Sequence, residues 1–238
     1  HSYRALAEAL GYVRTLAEKA DENHHVDKLI GAADLWLHLV DDRQIPYLKS
    51  LYNYGVSKAV ISLSLWQEKN PTDKLNGKAF IDKANAYGYL TSRYQAYTDA
   101  GPQKDNRKNQ FFTPKFPDDV IVKEDGQYQE GWDTLYYTSS VTHPDYARQW
   151  TTQDLKNYSF NTRFVDVEQS SPLFEDYSRK HPATRKKDAY YRTKVMQILK
   201  EDFNLVTASE EAREWAFPYT DYGLGTMTVS PPSGAAYD

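Results

Sequence analysis

The chain has 238 residues, which suits one large domain or a single α/β barrel of about 250 residues. Its hydrophobic fraction of 40% supplies a core, while a net charge of −4 without a basic stripe argues against a nucleic-acid partner. No apolar run of about 18 residues offers a membrane span, and the absence of cysteine excludes disulfides and thiol chemistry.

Tyr3, Leu6, Leu10, Val13 and Leu16 recur at helical spacing and predict an amphipathic helix over residues 2–20. No signal peptide precedes it, and the chain starts abruptly inside the helical pattern, as a piece of a longer protein would. The polar run Asp21-Glu22-Asn23-His24-His25 ends the pattern, and residues 28–40 read as a first buried strand. Residues 45–54 read as a helix stopped by Gly55, followed by a second strand over 58–63. A helix over 77–87, stopped by Gly88, leads to a third strand over 89–94. This alternation predicts a parallel sheet. From Ala100 to about Ser159 the pattern lapses: Gly101-Pro102, Thr113-Pro114, Phe116-Pro117 and Glu124-Asp125-Gly126 mark a long excursion. Within it Gly131-Trp132 and Tyr136-Tyr137 suggest a small hairpin able to wall a cleft. Order resumes with a strand over 160–166, a loop, a helix over 187–201 and a strand over 203–210; residues 217–222 begin a sixth strand. The reading is one α/β domain over 1–238, a (β/α)8 TIM-type barrel incomplete in this chain, with a cleft-forming insertion over about 100–159.

Two of these strands end on an acid, Asp166 and Glu210. In a parallel barrel the C-terminal strand ends share one face, and that face carries the chemistry. Two acids on one rim are what glycoside hydrolysis requires. The bland alternative for Asp166 is an ion pair with Arg163, since an acid closing an apolar strand is costly to bury unpaired. Of Glu210 and Glu211, strand alternation puts Glu210 on the side of Val206 and Ala208. The 20 Tyr, 9 Phe and 5 Trp suit sugar faces and hydroxyl edges, although most such rings serve packing. His181 is a candidate base or ligand, yet the six histidines have no metal-binding spacing. Gly223-Leu224-Gly225 lacks a third glycine, and no G-x-S-x-G supports a serine hydrolase. Arg185-Lys186-Lys187, followed by Asp188, reads as a solvated helix face.

Several stretches, in order along most of the chain, resemble the α-N-acetylgalactosaminidase group of glycoside hydrolases, families 129 and 101 and their relatives. They are Lys28-Leu29-Ile30-Gly31-Ala32-Ala33-Asp34, Gly88-Tyr89-Leu90-Thr91-Ser92-Arg93-Tyr94-Gln95-Ala96-Tyr97-Thr98-Asp99 and Gly131-Trp132. Then come Arg163-Phe164-Val165-Asp166-Val167, Glu175-Asp176-Tyr177 with His181-Pro182-Ala183-Thr184-Arg185, and Leu205-Val206-Thr207-Ala208-Ser209-Glu210.

The resemblance implies a retaining hydrolase of α-linked galacto-configured sugars, N-acetylgalactosamine among them. It gives Asp166 the role of nucleophile, Glu210 that of acid/base and Asp99 that of a sugar-hydroxyl ligand. Arg93, Tyr94, Tyr97, Trp36, Arg163 and Trp132 are expected to bind substrate, with Arg163 or Arg93 helping Asp166 to stay ionised. Ser92-Arg93 stand where the family more often has a histidine and an aspartate, and Glu211 stands where a small or polar residue is usual. No cofactor is expected, a structural Ca2+ being the one ion the reading admits. The expected partner is an oligosaccharide or glycoconjugate, with no nucleic acid and no membrane. Further β-rich domains and a secreted or periplasmic location are expected as well. The rivals are a non-catalytic carbohydrate-binding barrel, an inactive fragment, or a hydrolase of another α-glycoside.

Overall fold

The computed structural model describes residues 2–38, 41–64, 77–102 and 114–224. The strands in chain order are β1 (Ala33–His38), β2 (Ala59–Ser64), β3 (Leu90–Ala96), the short β4 (Asp99–Ala100) and β5 (Tyr136–Tyr137), then β6 (Thr162–Asp166), β7 (Val206–Glu210) and β8 (Tyr222–Leu224). Six of them form one sheet in the order β1-β2-β3-β6-β7-β8, and every neighbouring pair is parallel. This sheet curls into a half-barrel, a partial (β/α)8 fold. The antiparallel pair β4–β5 stands apart from it.

The helices are α1 (Ser2–Ala9), α2 (Leu16–Glu22), α3 (Ile45–Asn53), α4 (Lys78–Ala86), α5 (His143–Asn157) and α6 (Arg185–Glu201). One predicted N-terminal helix is therefore two. Gly11 takes a left-handed φ of 72°, and Thr15 and Glu18 form a capping box that starts α2 afresh. The first predicted strand is shorter than its apolar run: Val26–Leu29 form a 3-10 turn, and Gly31 at φ 77° sets the entry to β1. Residues 39 and 40 of that prediction, and residue 113 of the Thr113-Pro114 signal, lie outside the described residues. The excursion after β3 is not all loop, because its last quarter is the 15-residue helix α5, which joins β3 to its parallel neighbour β6. The expected sixth strand starts later, at Tyr222, after a 3-10 helix over Glu214–Tyr219.

Strand alternation divides the side chains between two environments. On the outer face, Ile61 and Leu63 of β2 pack with Leu48 of α3 and Phe80, Ile81 and Ala84 of α4. Further along, Val165 of β6 packs with Ala147 and Trp150 of α5 and Val195, Met196 and Leu199 of α6. On the inner face, Val60, Leu90 and Val206 meet Val26 and Leu29, so the chain segment after α2 plugs the base of the half-barrel. Chemistry is left to the opposite end, where the strands finish.

Candidate active site

The register of the sheet fixes which side chains meet. Arg93 lies beside Arg163, Tyr94 beside Phe164, and Ala96 beside Asp166. On the other side Phe164 pairs with Ala208 and Val165 with Ser209, so Asp166 and Glu210 close adjacent strands with the same parity. Both acids are half-buried on the inner face. Each is followed by a non-glycine residue at positive φ, Val167 at 62° and Glu211 at 54°. After Asp166 the Glu168 N–H donates to the Asp166 carbonyl at 2.7 Å, which closes a tight turn around a β-branched residue in the left-handed region. Backbone in this state costs about 1–3 kcal/mol and persists where the surroundings over-determine it.

The Tyr94 hydroxyl donates to Asp166 Oδ2 at 2.5 Å. Its ring stacks near Phe164 (centroids 6.0 Å) and meets the edge of Trp36 (6.4 Å), whose indole N–H donates to Asp34 at 3.1 Å. Burial pushes the Asp166 carboxyl above the ordinary carboxylate range and the nearby Glu210 adds to this, while the Tyr94 hydroxyl and the Val167 N–H pull it back. Tyr94 itself is pushed up by burial first, and then by Asp166, Asp99 and Glu210. Tyr137 of β5 is raised by burial and by Asp99 and Glu210, against Arg192. The two phenols thus both sense Asp99 and Glu210. Asp99 is half-buried on β4 opposite Tyr137, whose ring packs on Phe174 at 4.8 Å.

Three expected substrate ligands, Arg93, Arg163 and Tyr97, are turned away from these acids. Arg93 and Arg163 point to the outer face, where both guanidinia grip Asp154 of α5; the Arg163–Asp154 contact is 2.8 Å. They are 2% and 0% exposed, and burial lowers Arg93 to about 10 even though Asp154 opposes it. The reason is parity: positions 93 and 163 alternate with 94 and 166, so neither arginine reaches Asp166. The aid to Asp166 comes from Tyr94 instead. Tyr97 is buried under α5, stacked on Trp150 at 5.3 Å. Trp132 is 70% exposed in the turn of the hairpin, where the Leu135 N–H donates to its carbonyl. His181 joins Asp176 Oδ2 at 2.5 Å and the Asp118 carbonyl at 3.0 Å, tying the β6–α6 loop to the excursion. Among the described residues, no group of three or more histidines and acids is arranged to hold a metal ion, and no helix is long and apolar enough to cross a membrane.

Sequence reasoning overlooked the loop after Asp166. Ser170 Oγ donates to Glu210 Oε2 at 2.6 Å. Buried Glu168 meets His143 Nδ1 at 3.0 Å, and Arg192 binds the carbonyls of Glu168, Ser171 and Pro172. No motif marks these residues; only their place directly after a strand-ending acid does.

A parallel half-barrel with carboxylates closing adjacent strands is an arrangement that glycosidase barrels can use. The sequence model of the glycosyl hydrolases related to the GH101 family, GH129, matches residues 50–234, and the chain belongs to that family. Among solved structures it is similar to α-N-acetylgalactosaminidase NagBb from Bifidobacterium bifidum, with a TM-score of 0.77 at 21% identity over 92% of this chain and 42% of that one. The GH36 α-galactosidase AgaA from Geobacillus stearothermophilus gives a TM-score of 0.56 at 10% identity, over 87% of this chain and 32% of that one. A GH31 sulfoquinovosidase from E. rectale gives 0.52 at 14%, over 84% and 33%. These likenesses establish the fold. The chain spans less than half the length of each of these structures. None of the curated protein sequences matches it.

Proposed function

We propose that the protein containing this chain is a retaining glycoside hydrolase acting on α-linked galacto-configured sugars, with α-N-acetylgalactosaminides as the first candidates. The observation that carries this reading is the pair Asp166 and Glu210, which end neighbouring parallel strands on one face, one held by Tyr94 and the other by Ser170. Asp166 attacks the anomeric carbon as the glycosidic C–O bond breaks, and Glu210 gives its proton to the departing oxygen. Water then attacks the glycosyl ester, yields its proton to Glu210 and frees Asp166. This scheme needs the two carboxyl groups about 5–5.5 Å apart. Asp99 is suited to accept hydrogen bonds from sugar hydroxyls, with Tyr137 and Trp36 as apolar walls. The choice of sugar rests on membership of the GH129 family and on the fold shared with NagBb, a structure of which was solved with GalNAc.

The test is a panel of aryl α- and β-glycosides with NMR of the first-formed product anomer. Turnover of α-galacto substrates with an α product is expected. Asp166→Asn should abolish it, and Glu210→Gln should spare activated aryl glycosides in the first step. A β product, or near-normal turnover by Asp166→Asn, sinks the assignment.

A further inference from the structure

The loop that leaves β6 contributes more than the link to α6. It is clamped from two sides. On one side the buried Arg192 guanidinium donates to the carbonyls of Glu168, Ser171 and Pro172 and to Ser171 Oγ, while Asp188 holds its Nε. On the other side, Gln169 donates to Thr220 Oγ1 and accepts from the Arg213 N–H, and Arg213 donates to the carbonyls of Gln169 and Ser170. Every one of these contacts ties the loop to α6 or to the segment over residues 213–220. Ser170 is the exception, because its hydroxyl is aimed at the rim and donates to Glu210 Oε2 at 2.6 Å.

We propose that Ser170 is a positioning residue that assigns different tasks to the two oxygens of Glu210: Oε2 is held as an acceptor, and Oε1 carries the proton exchanged with substrate. This rests on the reading of Glu210 as acid/base. A carboxylic acid has one hydroxyl oxygen and one carbonyl oxygen, and a donor on Oε2 makes Oε2 the carbonyl. The proton then resides on Oε1, which passes it to the glycosidic oxygen as the bond to the anomeric carbon breaks. In the second step Oε1 receives a proton from the attacking water, and Oε2 again accepts from Ser170. The same hydroxyl therefore serves both protonation states without reorienting. Because the clamp belongs to the strand that ends in Asp166, one rigid loop sets both carboxylates. An acid that can present either oxygen, or rotate, loses part of the alignment that makes proton transfer effective.

The prediction separates proton delivery from folding. In the intact protein, Ser170→Ala should keep near-wild-type kcat/KM on 2,4-dinitrophenyl α-glycosides, which leave without a proton, and lose roughly tenfold on methyl or benzyl α-glycosides, which need one. Ser170→Thr, which keeps the hydroxyl, should restore the second class. Ser170→Cys, close in shape but a weak donor, should behave like alanine and guards against a packing defect. An equal loss on both substrate classes, or no loss on either, overturns the proposal. Glu210→Gln is the control: if it shows no leaving-group selectivity, it is the reading of Glu210 that fails. If it does and Ser170→Ala does not, Glu210 stands and Ser170 is only structural.

Discussion

Asp166 sits where its chemistry is hardest to maintain. Burial pushes its carboxyl up, and the arginines once expected to oppose that are on the other side of the sheet. Tyr94 is the group that holds the ionised form, through a hydrogen bond of 2.5 Å. In the proposed role of nucleophile, a raised value means that activity is lost as pH falls through a point above the usual aspartate range near 4. Tyr94→Phe keeps the ring against Phe164 and Trp36 but removes the donor, so the acid limb of kcat/KM should move to higher pH. An unmoved limb would mean that Tyr94 serves packing alone. The placement of the two acids was legible because each closes an apolar strand, and alternation put Glu210 on the side of Val206 and Ala208. The same alternation, applied to Arg163, would have turned it away from Asp166. Ser170 was not legible, since a lone serine in a loop carries no pattern until the fold brings it to another strand's end.

At the level of elements, strands and the apolar helices could be read from periodicity, whereas α5 could not. Its buried face carries His143, Thr151 and Asp154 beside Ala147 and Trp150, so the stripe that should announce a helix looks polar. His143 meets Thr138 and Glu168, and Asp154 bridges Arg93 and Arg163. Removing it takes a shared carboxylate from two buried guanidinia. Asp154→Ala should cost about 3–5 kcal/mol in urea unfolding, and a loss below 1 kcal/mol would show the pair to be well hydrated. The turn after β6 makes the opposite prediction. Val167 at φ 62° is strained in a way glycine is not, so Val167→Gly should raise stability by about 1 kcal/mol. It should also lower kcat, because the turn that fixes the Asp166 carbonyl becomes free to open. Stabilisation without any loss of kcat would show the strain to be idle.

The described fold is tied across its length by a contact between α2 and the segment just before β8. Lys19 of α2 donates to the carbonyls of Phe217 at 2.8 Å and Thr220 at 2.5 Å, and lies 4.0 Å from Asp221, which also binds Lys200 at 2.7 Å. This joint holds the plug formed by Val26 and Leu29 against the base of the half-barrel, opposite the acids. Burial lowers Lys19 to about 8, against the pull of Asp221. The sign of the linkage follows. Below pH 8 the ammonium is charged in both folded and unfolded chains, and the full cost of burying it is present. Between 8 and 10.5 the unfolded chain holds more protons, so the contribution of this group to stability rises with pH. Lys19→Met lacks the titration but leaves the same two carbonyls unpaired at every pH. Subtracting its unfolding free energy from that of the wild type therefore isolates the ammonium. The difference should shift in favour of the wild type between pH 7.5 and 10, on the order of 2 kcal/mol in all. A difference that stays flat would mean that water reaches Lys19, and that the joint between α2 and the last strands is looser than its hydrogen bonds indicate.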